Sequence, residues 1–346
     1  MARFEPIQAH QSRISRGISP IHFFLIGVCL VLYFVVVPYI FHDRGYFLNI
    51  ITTASMLSFI SLGVWLTFAI GRINIAQGGF AMIGGYTTAV LMSHFDISFW
   101  VCLPLSGIIA AALGALIGWP VLRLKGVYFA MITLCLTEAV RLSFLNARFL
   151  TRGASGMVDL PLPGELSIVG LTLIPAFLPG ERLPFYYLAA VLLCLGVGLL
   201  WMIMSCRLGG IFRSLQQNED LASSVGINVA YYRVVAFAIC CFYGGIGGSF
   251  FTAFQQNIYP SSYQVIDSVY FMMYCFIGGL DNPFGPILGA FALIISFELL
   301  HEFQRYQTVI FGLVMIGSIM FLPNGLLSIS TPITRLWTRF SKKADG

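Results

Sequence analysis

The chain has 346 residues, 58% of them apolar and only 10% charged, with a net charge of +5 and a mean hydropathy of +0.87. A soluble domain carries charge on roughly 25% of its residues, so a water-soluble globular protein is excluded. The apolar residues come in runs of roughly 20, the length at which a helix crosses a bilayer with its backbone groups bonded inside the segment. A membrane barrel would instead alternate over stretches of about ten residues, and these runs do not alternate. The expected fold is an all-α, polytopic transmembrane bundle, and the modest positive charge calls for no nucleic-acid partner.

In chain order, residues 1–20 are polar and carry Arg3, Arg13 and Arg16. The run from Ile21 to Phe41 is too long for a signal-peptide core and lacks a small-x-small cleavage site, so it reads as an uncleaved first span. Ten spans are predicted, at 21–41, 48–70, 74–93, 97–119, 127–146, 185–204, 231–254, 264–280, 286–303 and 307–323. The third, eighth and ninth are short and rich in glycine. An even number puts both ends on one side. With that side cytoplasmic, positions 3, 13, 16, 72, 123, 125, 207, 213, 233, 335, 339, 342 and 343 hold Lys or Arg inside. The remaining six (44, 141, 148, 152, 182 and 305) fall outside or within the fifth span. That asymmetry follows the positive-inside rule. Residues 1–20 and 324–346 are then cytoplasmic tails flanking a membrane domain at 21–323.

The eight cysteines (29, 102, 135, 194, 206, 240, 241 and 275) all lie in or at the ends of apolar runs, with no Cys-x-x-Cys pair and no accompanying His spacing. They read as small buried apolar residues. No metal and no cofactor is expected.

Two connections are hydrophilic. The outer one, 147–184, holds Pro161, Pro163, Pro175, Pro179 and Pro184, and an apolar stretch from Leu166 to Leu178. That stretch is too short to span, so it either lies at the membrane surface or packs over the bundle. In the inner one, 205–231, Leu208, Ile211, Phe212, Leu215, Ala222 and Val225 fall at roughly helical spacing, and Gly226 offers a stop. One or two short amphipathic helices are expected there.

Asn74-Ile-Ala-Gln-Gly-Gly-Phe-Ala-Met-Ile-Gly-Gly-Tyr86 and Gly278-Gly-Leu-Asp-Asn-Pro-Phe-Gly-Pro-Ile-Leu-Gly289 are glycine-rich elements, one in each half of the chain. Such segments permit broken helices whose freed amides line a polar path, as in transporters built from inverted repeats. The competing reading is tight helix packing, which Gly107-x-x-x-Ala111-x-x-x-Ala115 and Gly244-x-x-x-Gly248 also suggest. The fifth span carries Thr133, Thr137, Glu138 and Arg141. An uncompensated charge at mid-bilayer costs about 2.5–3.5 kcal/mol, and Glu138 and Arg141, three residues apart, can neutralise each other. They form either a pathway lining or gate, or a structural pair. Glu298, His301, Glu302 and Arg305 make a second such set, read as a solvated helix end.

Several ordered segments together resemble the branched-chain amino acid type of ABC importer permease, a family that also serves urea and short amides. They are Ile73–Thr87, Leu124–Leu142, the loop Ser205–Asn228 and the late turn Gly278–Gly289. The resemblance runs from about residue 48 to 329, and the N-terminal extension and long outer loop look like those of the longer of two paired permeases. It implies a second permease subunit, two cytoplasmic ATP-binding subunits and an extracytoplasmic solute-binding protein, at a bacterial inner membrane. It further implies that the loop bearing Arg207, Leu208, Arg213, Glu219, Asp220, Ala222 and Gly226 docks on the ATPase. Asn74, Gln77, Gly78, Thr137, Glu138 and Arg141 are the candidates for the translocation path. One departure stands out: the family loop often has a basic residue before its acidic pair, where this chain has Gln216-Gln217-Asn218.

The chain itself is not expected to be an enzyme. It has no Gly-x-x-x-x-Gly-Lys-Ser/Thr nucleotide loop, its lysines are only 125, 342 and 343, and neither His-Glu-x-x-His nor Gly-x-Ser-x-Gly occurs. The rival reading is an ion-gradient carrier using Glu138 or Asp267 as a proton or sodium site. A carrier of that kind, or a passive channel, has no use for a docking loop.

Overall fold

The computed structural model describes residues 32–41, 45–124, 126–168, 171–174, 177–178 and 180–299, and the single positions 309, 312, 316, 317, 325 and 326. Most of the first and tenth predicted spans, the N-terminal tail, nearly all of the C-terminal tail, Cys29, His301, Glu302 and Arg305 lie outside the described residues. Within the first span, a π-helical turn Leu32–Val36 runs into α1, Val37–Phe41.

From residue 45 the helices are α2 Gly45–Phe68, α3 Gln77–His94, α4 Phe99–Val121, α5 Val127–Asn146 and the single turn α6 Arg148–Thr151. A hairpin, β1 Leu166–Ile168 and β2 Leu171–Ile174, precedes α7 Leu183–Ser205. Then come α8 Arg207–Gln217, α9 Glu219–Ser224, α10 Val229–Gln255, α11 Val265–Gly278 and α12 Gly285–Leu299. Five of them (α2, α4, α5, α7 and α10) are long and apolar enough to cross a membrane; α11 and α12 are apolar but shorter. The predicted spans from the second to the ninth each find a helix within a few residues of the expected bounds, and the chain is a polytopic helical membrane bundle.

The helix α3 owes its place to packing. Four glycines and polar Gln77, Thr87, Thr88 and Ser93 lower its hydropathy, yet most of it is buried between α4 and α10. Small residues make that possible. A Cβ on Gly84 would overlap the backbone of Gly245, and one on Gly248 would overlap the carbonyl of Ala81. Gly244 and Gly248 therefore lie on the seam as the sequence suggests. On α4 the seam is Gly107, Ala110, Gly114 and Gly118, whereas Ala111 and Ala115 are only half-buried. A strict four-residue repeat drifts around a helix of 3.6 residues per turn, and the 3-4-4 spacing holds one face. Hydroxyls reinforce the contact: Thr88 Oγ1 donates to Ser249 Oγ at 2.7 Å and Ser106 Oγ to the Gly245 carbonyl at 3.3 Å.

On the other side of α10, Tyr243 Oη donates to the Gly196 carbonyl of α7 at 2.6 Å, and Phe185 packs edge-on to Phe250 and Phe254. Phe177 extends this aromatic cluster, 4.8 Å from Phe185 and 6.0 Å from Trp100 between ring centroids. Trp100 in turn donates its indole N–H to the Gly164 carbonyl at 2.8 Å. Of the two placements open for the end of the Leu166–Leu178 stretch, Phe177 packs over the bundle. Among the described cysteines, Cys102, Cys240, Cys241 and Cys275 are buried as expected, but Cys135 and Cys206 are exposed and Cys194 is half-buried. An apolar run dictates that a helix lies in lipid, not which of its faces meets protein.

Candidate functional site

The turn between α2 and α3 gathers polar groups where the bundle is driest. Asn74 and Gln77 are fully buried. The Gln77 amide donates to the carbonyls of Ile60 and Cys240, each at 3.1 Å, and its oxygen accepts from Cys240 Sγ at 2.9 Å. Asn74 caps the turn by accepting from Ala76 N at 2.9 Å and reaches Cys240 Sγ with its Nδ2. Ile75 lies against α5: its N–H donates to Thr133 Oγ1 at 3.2 Å, and Thr137 Oγ1 donates to its carbonyl at 2.9 Å. Gly78 N donates to Ser268 Oγ of α11 at 2.9 Å, an approach that leaves no room for a side chain. The structure thus unites Asn74, Gln77, Gly78 and Thr137, four of the expected path residues, in a lock joining α2, α3, α5, α10 and α11. Their polar groups are spent on one another rather than presented to an open path. The partners Cys240 and Ser268 escaped notice because a lone Cys or Ser in an apolar run carries no signal.

Glu138 and Arg141 sit differently. Arg141 Nε bonds both carboxylate oxygens at 3.0 and 2.9 Å, and Nη2 adds a contact of 2.5 Å. The pair is half-exposed, at 40% for Glu138 and 27% for Arg141. The threonines one residue and one turn earlier face inward; the ion pair faces out, into a polar hollow shared with Gln264, Val265 and Ile266 at the start of α11. A cavity of about 190 Å³ also involves the start of α11. Thr53, Thr252, Gln255, Asn257, Ser262 and Asp267 give it polar groups, and Leu57, Phe251 and Phe271 an apolar wall. Asp267 accepts the Gln264 N–H at 2.6 Å, which fixes the first turn of α11.

The late glycine-rich segment is a packing device. Side chains at Gly278, Gly285 or Gly289 would overlap facing backbone between α11 and α12, and Trp65 Nε1 donates to the Leu280 carbonyl at 2.8 Å. The Glu298 side chain is half-buried near the end of α12.

The Ser205–Tyr231 loop, where one or two short helices are expected, forms two. On α8, Gly209, Phe212 and Leu215 are buried and Leu208 is partly so, while Arg207 is exposed and Arg213 Nη2 reaches the Met204 carbonyl at 3.3 Å. Asn218, in the place where the resembled loops often carry a base, caps α9 by accepting from Asp220 N and Leu221 N at 3.0 and 3.1 Å. Ala222 is buried, Asp220 is exposed, and Gly226 ends the helix at φ +86° with a Schellman-like bond from Ile227 N to the Ala222 carbonyl. Glu219 points inward, to Arg72 at 3.0 Å and to Arg233. Burial and the Arg233 guanidinium pull the Arg72 pKa below its ordinary value, and Glu219 pushes it back up. Leu221 and Val225 are 66% and 72% exposed at i, i+4 spacing on the opposite side. Arg72 and Arg233 counted in the sequence only as topology charges, and Leu221 not at all.

The chain is similar to the high-affinity branched-chain amino acid transport system permease protein LivM of Salmonella typhimurium, 32% identical over 303 residues that cover 83% of this chain and 71% of the relative. The probable branched-chain amino acid transport permease protein LivH of Methanocaldococcus jannaschii is 25% identical over 80% of this chain and 90% of its own. The ribose import permease protein RbsC of Haemophilus influenzae is 24% identical, covering 79% and 83%. No solved structure matches. The family described as the branched-chain amino acid transport system permease component matches residues 46–319, nearly the whole described bundle, and the chain belongs to that family.

Proposed function

We propose that this chain is the membrane-spanning subunit of an ATP-driven importer that carries branched-chain amino acids, or similar small polar solutes such as urea and amides, across a bacterial inner membrane. Both termini are cytoplasmic. ATP is hydrolysed on two separate cytoplasmic subunits, a second permease completes the path, and a solute-binding protein delivers from outside. The observation that carries this reading is the surface at α9: Leu221 and Val225 stand out to solvent, while Phe212, Leu215 and Ala222 of the same loop are buried. An exposed apolar pair on a short, capped helix is a contact for another protein, and Asp220 beside it supplies charge. Gly226 fixes the helix end, Leu208, Arg213 and Ala222 hold the loop in place, and exposed Arg207 adds a positive charge at its start.

On the opposite side, Glu138 and Arg141 form the polar face of the path, together with the first turn of α11. An ion pair half-open to its surroundings is costly against lipid, so this face of α5 meets water or the second permease. Asn74, Gln77, Gly78 and Thr137 form the rigid wall behind it.

The test is copurification. The tagged chain, solubilised with its native neighbours, should bring down ATP-binding subunits, and Leu221→Ser with Val225→Ser should release them without lowering the amount of membrane-inserted chain. Gln217→Cys in a background with Cys135→Ser and Cys206→Ser should react with an impermeant maleimide only after cells are opened. Labelling of intact cells would reverse the orientation, and undiminished copurification of the double variant would remove α9 from the contact.

A further inference from the structure

Charge joins the cytoplasmic loop to the bundle at one place among the described residues. Glu219 opens α9, but its carboxylate lies between two guanidiniums, Arg72 from the α2–α3 turn and Arg233 from the second turn of α10. Both arginines are buried, at 3% and 5% exposure, and Arg233 Nη1 also reaches the Leu122 carbonyl at the end of α4. A carboxylate set between two desolvated cations holds them together, and its removal leaves like charges facing each other where water is scarce. Glu219 is therefore unavailable to a docking partner, while Leu221, two residues on, faces solvent.

Arg72 stands two residues before the Asn74–Gly78 turn. That turn is bonded to α2 through Ile60, to α10 through Cys240, to α5 through Thr133 and Thr137, and to α11 through Ser268. The last two helices carry the Glu138–Arg141 hollow and the cavity beside Asp267. Ion pairs, hydrogen bonds and the short backbone segments between them form a continuous path from the loop to both polar openings.

We propose that Glu219 is a transmitting residue rather than a docking one: the Arg72–Glu219–Arg233 cluster is the rigid link through which displacement of the cytoplasmic loop moves the Asn74–Gly78 turn and, with it, α5 and α11. The inference rests on the loop being the contact for an ATP-hydrolysing partner. Leu221 and Val225 receive the push on one face of α9, and Glu219 passes it on from the other. Coupling of this kind travels through contiguous packed and bonded groups.

Two measurements test it. In the solubilised chain alone, Glu219→Gln should raise amide hydrogen exchange across residues 73–78 about tenfold, whereas Leu221→Ser should leave that segment unchanged; unchanged exchange in Glu219→Gln overturns the proposal whether or not an ATPase partner exists. In the assembled transporter, Glu219→Gln should keep ATP-subunit binding and ATP hydrolysis but lose about tenfold in solute moved per ATP. The conservative variant Glu219→Asp keeps a carboxylate between the two guanidiniums and should recover much of that ratio. Loss of ATP-subunit binding in step with uptake would make Glu219 a docking residue. A normal ratio of uptake to hydrolysis would make the cluster a scaffold.

Discussion

Replacing Glu138 by Gln leaves Arg141 without its bidentate partner, and the cost depends on what the α5 face meets. Against lipid, an unpaired arginine within a span costs about 2.5–3.5 kcal/mol on insertion scales, which is roughly a hundredfold in the inserted fraction. Beside water or a polar partner surface, the loss of a half-exposed pair is about 0–1 kcal/mol, a few-fold at most. The structure favours the second case: the pair is 40% and 27% exposed and opens into a hollow shared with Gln264, Val265 and Ile266. Glu138→Gln, Arg141→Gln and the double variant should therefore all insert at close to the normal amount. Uptake normalised to inserted protein should fall about tenfold or more in each, since a developing path loses a charge interaction of about 1–3 kcal/mol. The assay is quantitative immunodetection in membranes with labelled-solute uptake on the same cells. Single variants that vanish from the membrane, with a double variant that recovers both amount and uptake, would refute the reasoning and return the pair to the scaffold.

Gly226 lies at φ +86° with open space around it, so the penalty of a side chain there is conformational alone, about 1–3 kcal/mol; Gly226→Asn should retain more uptake than Gly226→Ala, because Asn tolerates that region better. Gly226→Pro should uncouple uptake from ATP hydrolysis while the chain stays in the membrane, as a comparison of the two rates would reveal. Gly245→Val would drive its Cβ into Ser106 and Ala110 and wedge α4 from α10, so thermal stability in detergent should drop by an amount typical of overpacking, about 1–3 kcal/mol or more, whereas Gly210→Ala, in open space on α8, should be neutral. A maleimide should label Cys135 and Cys206 in the folded, solubilised chain, and Cys102, Cys240, Cys241 and Cys275 only after unfolding, as mass spectrometry of the peptides would read.

The second to ninth helical runs and the amphipathic 205–231 loop were legible in the sequence because they depend on local quantities. A run of apolar residues must become helix to satisfy its own backbone in lipid, and periodicity along 205–231 reports which side of α8 is covered. Even α3, too polar to qualify by hydropathy, was marked by its glycines. What a run of letters does not contain is the identity of the neighbour on each face. Thr137 and Glu138 are adjacent in sequence, yet one is locked against Ile75 and the other opens to a hollow. The amides of Asn74 and Gln77, which look made for solute, are saturated by Ile60 and Cys240. Glu219 and Leu221 looked like a charge for docking and an unremarkable apolar residue; with Arg72 and Arg233 brought in from positions 147 residues before and 14 after, the charge turns inward and the apolar side chain is left outside. Composition and run length are enough to make this chain a helical membrane bundle with an amphipathic loop at 205–231. Which polar groups stay open depends on the packed bundle, because partners such as Cys240 and Ser268 come from helices more than 160 residues away in the chain.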